Sequence, residues 1–457
     1  MDEKALWRLR KIVGTQYVLT SAEDLICYGY DAQHVEHRPE AVVRPENADQ
    51  IAELITFANE AEIPVTPRGA GTGLSGGSVP AKGGFVLDVC RMNRILDIDR
   101  ENLLATVEPG VVTADLHTAV EAVGLMYPPD PGSMKVSTIG GNVAENAGGL
   151  RAIKYGVTKD YIMALEGVSP TGEPFTAGAR TMKSVSGYDL CRLMCGSEGT
   201  LGVFTKIVLK LIPLPKARRA VLASFPALED AARAVSGIIG AGIMPATLEI
   251  MDNVTVRAVE DYKKLGLPVD AGAVLLFEAD GAAAQVEEEA SEAGSVMKSA
   301  GASSIQVAST TEERDKLWEG RRASLAALAR VRPTTVLEDA TVPRSALAEM
   351  VRAVNAIAAK YSLMIGTFGH AGDGNLHPTI LTDERDADEM ARVEKAVEEI
   401  FDAALRLGGT VSGEHGIGFS KARFLPLEMG EGAMNMMRAI KSALDPKCIL
   451  NPGKMFE

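Results

Sequence analysis

The sequence predicts an α+β protein of more than one domain. Three observations carry that expectation. Strand and helix signals alternate through residues 1–215, a Pro213-Leu214-Pro215 break follows, and beyond it short apolar strands mix with amphipathic helices in the manner of an antiparallel sheet covered by helices. At ~150 residues per domain, 457 residues suit about three units. The expected division is 1–215, opening with a helical segment, then 216–440, then a C-terminal segment 441–457 that returns to the first domain.

The elements follow in order. Ala41-Val42-Val43-Arg44-Pro45 reads as a short strand. Asn47 can cap a helix whose apolar residues Ile51, Leu54, Ile55 and Ala58 follow the i, i+3, i+4, i+7 rule. Ile63-Pro64-Val65 begins a second strand, and a glycine-rich loop comes next. Residues 85–89, 103–107 and 203–211 are strand-like, and Pro170-Thr171-Gly172 reads as a hairpin turn. After the break come strand 220–225, helix 227–239 and strand 247–251, then strand 273–279, a helix through Glu287-Glu288-Glu289, and strand 305–307. Amphipathic helices are expected at 311–329, 345–360 and 386–407. Residues 445–454 are too irregular for a helix and too apolar for a free tail.

Composition narrows the function. With 47 Lys and Arg against 61 Asp and Glu the net charge is −14, which argues against nucleic acid and anionic lipid as partners. No apolar run approaches the ~18 residues of a membrane span, and Met1-Asp2-Glu3-Lys4 starts no signal core. Cys27, Cys90, Cys191, Cys195 and Cys448 are scattered, matching neither a disulfide framework nor an iron–sulfur spacing. Cys191 and Cys195 read as buried thiols. A cytoplasmic protein whose redox chemistry uses another cofactor is expected.

Gly69-Ala70-Gly71-Thr72-Gly73-Leu74-Ser75-Gly76-Gly77 contains the string G-x-G-x-x-G. A dinucleotide fold needs that string to open a helix, yet Gly77, Pro80, Gly83 and Gly84 follow, so the Rossmann reading fails. What remains is a loop whose backbone N–H groups can converge on an anion. Pro128-Pro129-Asp130-Pro131-Gly132-Ser133 is a second such loop, leading into Thr138-Ile139-Gly140-Gly141-Asn142 and Asn146-Ala147-Gly148-Gly149. Two separated glycine loops fit a long diphosphate cofactor.

Here the chain resembles a known family. Residues 64–77 look like the pyrophosphate loop of vanillyl-alcohol-oxidase-type FAD proteins, and Ser197-Glu198-Gly199-Thr200-Leu201-Gly202 looks like a later FAD-contacting turn. The resemblance spans nearly the whole chain and is strongest to the D-lactate dehydrogenase and glycolate oxidase catalytic-subunit family. It implies an FAD domain of two α+β subdomains, then a substrate domain, with a C-terminal segment at Asn451-Pro452-Gly453-Lys454 returning to the flavin. The FAD residues so implied are Pro67, Arg68, Gly69, Ala70, Gly71, Thr72, Gly73, Leu74 and Ser75 in the first loop, and Asp130, Pro131, Gly132 and Ser133 in the second. Thr138, Gly140, Gly141, Asn142, Ala144, Asn146, Gly148, Gly199 and Asn451 complete the set. Some relatives attach FAD through a histidine in the first loop; none stands between His37 and His117, so non-covalent FAD is implied.

Three of the six histidines lie between 370 and 415. Gly369-His370-Ala371-Gly372-Asp373-Gly374-Asn375-Leu376-His377 sets two of them at the ends of a glycine-rich reversal, which can bring both imidazoles to one point. Ser412-Gly413-Glu414-His415-Gly416 offers a carboxylate and a third imidazole. Two histidines and a carboxylate with positions left open form a divalent-metal set, Zn²⁺ first, Fe²⁺ or Mn²⁺ behind it. The resemblance implies finer roles: His370, His377 and Glu414 as metal ligands, His415 as the base, and Arg321 as the clamp on a substrate carboxylate, with Arg322 exposed. Relatives that oxidise D-2-hydroxyglutarate carry a lysine where this chain has Val336-Leu337-Glu338-Asp339, so a monocarboxylate such as D-lactate or glycolate is the expected substrate.

The expected function is FAD- and metal-dependent oxidation of a small D-2-hydroxy acid by hydride transfer to flavin N5. Electrons would pass to a separate iron–sulfur subunit or electron-transferring flavoprotein. A homodimer is compatible with the sequence. A D-2-hydroxyglutarate dehydrogenase, a metallohydrolase using the His/Glu cluster, and a non-catalytic flavoprotein subunit are the competing readings.

Overall fold

The computed structural model describes residues 1–33 and 35–456. The chain forms two units, one of residues 1–148, 157–214 and 414 onward, the other of Gly149–Gly156 and Pro215–Gly413. The expected boundary at 215 falls where Leu214 meets Pro215, but the expected 216–440 span runs differently. Residues 414–440 pack with the first unit, and 149–156 join the second. The excursion of 149–156 has a physical cause. Leu150 sits in the second unit's core, Lys154 Nζ donates to Asp280 Oδ1 at 2.6 Å, and Tyr155 Oη donates to the same carboxylate at 2.8 Å. Asp280 is nearly fully buried, so removing either donor leaves an underpaired charge.

The first unit holds a four-stranded sheet ordered Val18–Leu19, Ala41–Val43, Phe85–Asp88, Val65–Arg68, the last three mutually parallel. Helix Ala48–Ala61 joins two of these strands. Asn47 caps it by accepting from Gln50 N, and Ile51, Leu54, Ile55 and Ala58 are its buried stripe. A second, antiparallel sheet runs Ile95–Asp99, Leu104–Val107, Val203–Lys210, Ile162–Val168, Pro174–Gly178, the last two closing a hairpin over 169–173. The C-terminal segment extends the first sheet: Val65 N donates to Ile449 O at 2.8 Å and Asn451 N to Val65 O at 2.7 Å.

The second unit is built on an eight-stranded antiparallel sheet whose central path is Ala217–Phe225, Ala273–Gly281, Thr247–Asp252, Met364–His370, Asn375–Thr382. Side chains alternate along a strand, and Ala273–Gly281 is buried on both sides. Its Val274 and Leu276 meet Val256, Val259, Trp318 and Leu328 in one core cluster. Helix 311–329 is broken, as Thr311–Arg322 and Ser324–Leu328, at Ala323. Among the helices that escape sequence patterning are Thr113–Glu121, Ile139–Glu145, Asn253–Lys263 and Leu425–Leu444.

Asp252 ends strand Thr247–Asp252 and caps Asn253–Lys263, accepting from Thr255 N and, with its other oxygen, from Thr367 N, both at 2.8 Å. Burial pushes its carboxyl up to about 6. An unfolded aspartate releases its proton near ~4, so this group favours the folded state below that pH, and the advantage is lost as pH rises through about 6. Asp252→Asn cannot ionise. Its melting temperature relative to wild type should therefore improve between pH 4 and pH 7.5, measured by calorimetry in matched buffers. A constant difference would mean that Asp252 stays charged throughout.

Candidate functional site

In the first unit the first glycine loop meets Thr138, in the segment that follows the second loop. A Cβ at Gly69 would collide with Thr138 Oγ1, the hydroxyl that caps Ile139–Glu145 by accepting from Gly141 N. The first loop is closed by Asp31, whose Oδ2 accepts from Gly76 N at 2.8 Å; burial raises the Asp31 carboxyl. Ala32 N donates to Gly73 O at 3.0 Å, and Gln33 bonds Leu74 O. Arg68 is buried, its Nη1 3.3 Å from Ser78 O. Gly199 lies on the Pro67 ring, and Asn451 Nδ2 donates both to Gly77 O (2.8 Å) and to Glu198 O (2.6 Å). The first loop, Thr138, Gly199 and Asn451 thus converge.

Other expected cofactor residues make bonds within the unit. Asn142 Nδ2 donates to Thr113 Oγ1 at 2.8 Å, Asn146 Oδ1 accepts from Lys159 N at 2.9 Å, and Ala144 O accepts from Glu198 N at 2.8 Å. Asp130 is buried, Met134 N donates to Pro131 O at 2.8 Å, and Gly132 faces open space. Glu414 and His415 open the last segment of this unit, with Glu414 Oε2 against Gly148 and His415 buried. Two carboxyls absent from the expected set stand here, Glu198 buried and Glu145 half-buried with its Oε2 out of contact with solvent. Burial and the neighbouring Glu198 charge push Glu145 well above the usual carboxylate range.

The second unit supplies His370, His377 and Arg321. Strands Met364–His370 and Asn375–Thr382 form a hairpin in which Phe368 faces His377 and His370 faces Asn375. Both imidazoles therefore share a face, with ring centroids 5.2 Å apart and planes at 88°. From the neighbouring strand Thr247–Asp252, Glu249 reaches His370 Nδ1 at 2.8 Å and Arg321 Nε at 2.7 Å. Glu249 is 1% exposed. A carboxylate on Nδ1 fixes the tautomer with the proton there and leaves Nε2 its lone pair, the state a metal ligand needs. The Arg321 guanidinium also stacks over Phe368 at 4.8 Å, while Arg322 is exposed. Asp339 accepts from Ser412 Oγ and Gly413 N, both at 2.8 Å, and its Oδ1 stands 3.8 Å from His377 Nδ1.

Glu249, Asp339, Glu145 and Glu198 carry much of this geometry and were not among the expected residues. The one signal available was an acidic residue inside an apolar strand, as in Thr247-Leu248-Glu249-Ile250-Met251. Among the described residues no helix is long and apolar enough to cross a membrane.

Residues 39–178 match the FAD binding domain, and residues 214–455 match the C-terminal domain of FAD linked oxidases. The chain is 51% identical to the glycolate oxidase subunit GlcD of Bacillus subtilis (strain 168), over 98% of this chain and 96% of that protein. It is 39% identical to GlcD of Escherichia coli (strain K12), over 98% and 90% of the two chains. It is also 39% identical to a D-lactate dehydrogenase of Anaerostipes hadrus, over 92% and 90%. Among solved structures, p-cresol methylhydroxylase shares the fold with a TM-score of 0.82 at 19% identity, covering 99% of this chain and 96% of that one. The α+β fold is that of the vanillyl-alcohol-oxidase-type FAD proteins, and the chain belongs to the family of FAD-linked oxidases.

Proposed function

We propose that this protein oxidises a small D-2-hydroxy acid, D-lactate or glycolate, to the 2-keto acid with non-covalent FAD and one divalent metal. The observation that carries the reading is the buried chain Arg321–Glu249–His370 beside His377, which sets a cationic fork next to two imidazoles of defined orientation. The names of the relatives support the substrate class. When bound, FAD supplies the hydride acceptor that no side chain can provide, and the metal lowers the pKa of a coordinated hydroxyl.

The chain's own residues have the remaining tasks. Arg321 has five N–H groups; those not committed to Glu249 would hold the substrate carboxylate. His370 and His377 would hold the metal, with Glu414, the residue after Gly413, as third ligand. His415 would take the hydroxyl proton near neutral pH. Leu337, where relatives specific for a dicarboxylate have a lysine, gives no second cation.

Anaerobic flavin reduction with a panel of D- and L-2-hydroxy acids tests the reading. D-lactate or glycolate should bleach the flavin with a higher kcat/KM than D-2-hydroxyglutarate; no bleaching by any hydroxy acid would remove it. Glu249→Gln should weaken metal binding by roughly 10–100-fold, as expected when a partner that orients a ligating histidine is lost, read by competition with a chromogenic chelator. Unchanged affinity would remove His370 from the ligand set.

A separate protein acceptor, an iron–sulfur subunit or an electron-transferring flavoprotein, is the proposed destination of the electrons. No iron–sulfur spacing occurs among the five cysteines of the sequence. Stopped-flow mixing of the reduced enzyme with air should show reoxidation far slower than turnover with an artificial acceptor. Equal rates would make the protein a self-sufficient oxidase.

A further inference from the structure

We propose that Glu198 is a positioning residue for His415, holding the loop that carries it through the backbone N–H groups of Ile417 and Gly418. The inference rests on the reading of His415 as proton acceptor and adds what aims it. Each oxygen of the Glu198 carboxylate accepts one of two consecutive amides, Ile417 N at 2.7 Å and Gly418 N at 2.6 Å. Such a charge-assisted fork fixes two peptide planes at once, and His415 is two residues before the first of them.

The loop has no slack on this side. Gly416 has φ +83°, and a Cβ there would collide with Glu145 Oε2 and stand 3.1 Å from Glu198 Oε1 and 3.3 Å from Ser75 Oγ. The chain therefore crosses directly over both carboxyls, and only glycine fits. Burial and the neighbouring Glu198 charge push the Glu145 carboxyl well above the usual carboxylate range, and burial raises Glu198 as well.

Glu198 is itself held in an uncommon conformation. Its φ of +52° is in the left-handed region, sparsely used by residues with a Cβ. Its N–H donates to Ala144 O at 2.8 Å, and its carbonyl accepts from Asn451 Nδ2 at 2.6 Å. These bonds, made to residues of the expected flavin site, turn the Glu198 side chain toward 417–418. A backbone kept in this region against its preference points to a geometric task.

Buried carboxylates also brace folds without touching function, so the test must separate the two roles. In FAD-loaded full-length protein assayed with an artificial acceptor, Glu198→Gln should lower kcat by ~10–10²-fold, the scale of a misplacement near 1 Å, with KM and flavin content unchanged. In a His415→Ala background the same substitution should change kcat by less than about twofold, because residues acting as a unit are non-additive. Hydrogen exchange of Glu198→Gln should rise in peptides covering 415–420 and not in the second unit.

Equal losses in both backgrounds, or unchanged exchange in that segment, would overturn the positioning role while leaving His415 as the base. Wild-type turnover in His415→Ala alone would remove the reading of His415 and the positioning role with it. If Glu198→Gln does not retain FAD, the cycle runs with Glu198→Asp, which keeps the charge. Loss of FAD from both variants would assign the carboxylate to folding and overturn the proposal.

Discussion

A carboxylate taken out of water must find cations or N–H donors, and in this protein that requirement organises the chemistry. Glu249, in the interior of the second unit's sheet, meets it with Arg321 and His370. Either partner removed would leave a buried charge short of compensation, at a cost of ~3–5 kcal/mol. The arrangement explains how a guanidinium can be only 6% exposed and why His370 has a single orientation. The same strand ends three residues later at Asp252, which bonds Thr367 N within strand Met364–His370. One strand thereby sets both the ring and the backbone of the histidine hairpin.

The first unit solves the same problem with backbone donors. Asp31 takes Gly76 N, and Glu198 takes Ile417 and Gly418 N. Each carboxylate closes a loop whose glycines would otherwise leave it loose. Rigidity in a glycine-rich region here comes from acids reaching in from sequence-distant elements, since glycine has no side chain with which to lock itself.

How much of this was legible follows from the physics of each element. Helix Ala48–Ala61 was readable because a cap and a 3.6-residue stripe coincide, and the 162–178 hairpin because its turn residues interrupt two apolar runs. Helix Ile139–Glu145 was hidden by Gly140 and Gly141, which are poor helix formers that Thr138 and the packing against Pro109 override. Leu425–Leu444 was hidden by Gly430, where the helix kinks. His370 and His377 could be paired from sequence because a tight reversal constrains both. Glu249 could not, since a polar residue within a strand ordinarily faces solvent, and a sheet buried on both faces has no solvent side.

The pairing of residues 449–451 with Val65 has a consequence for the order of assembly. Residues 215–413 are nearly contiguous and complete most of their sheet among themselves, so this unit can acquire its structure while the chain is still emerging from the ribosome. The first unit, although begun first, lacks the partner of Val65 and the amide of Asn451 until residues 449–451 have been made. Its loop closure spans some 380 positions, the separation between Val65 and Leu450. The loops expected to hold the cofactor can therefore set only once residues 449–451 have been made, long after residues 65–77.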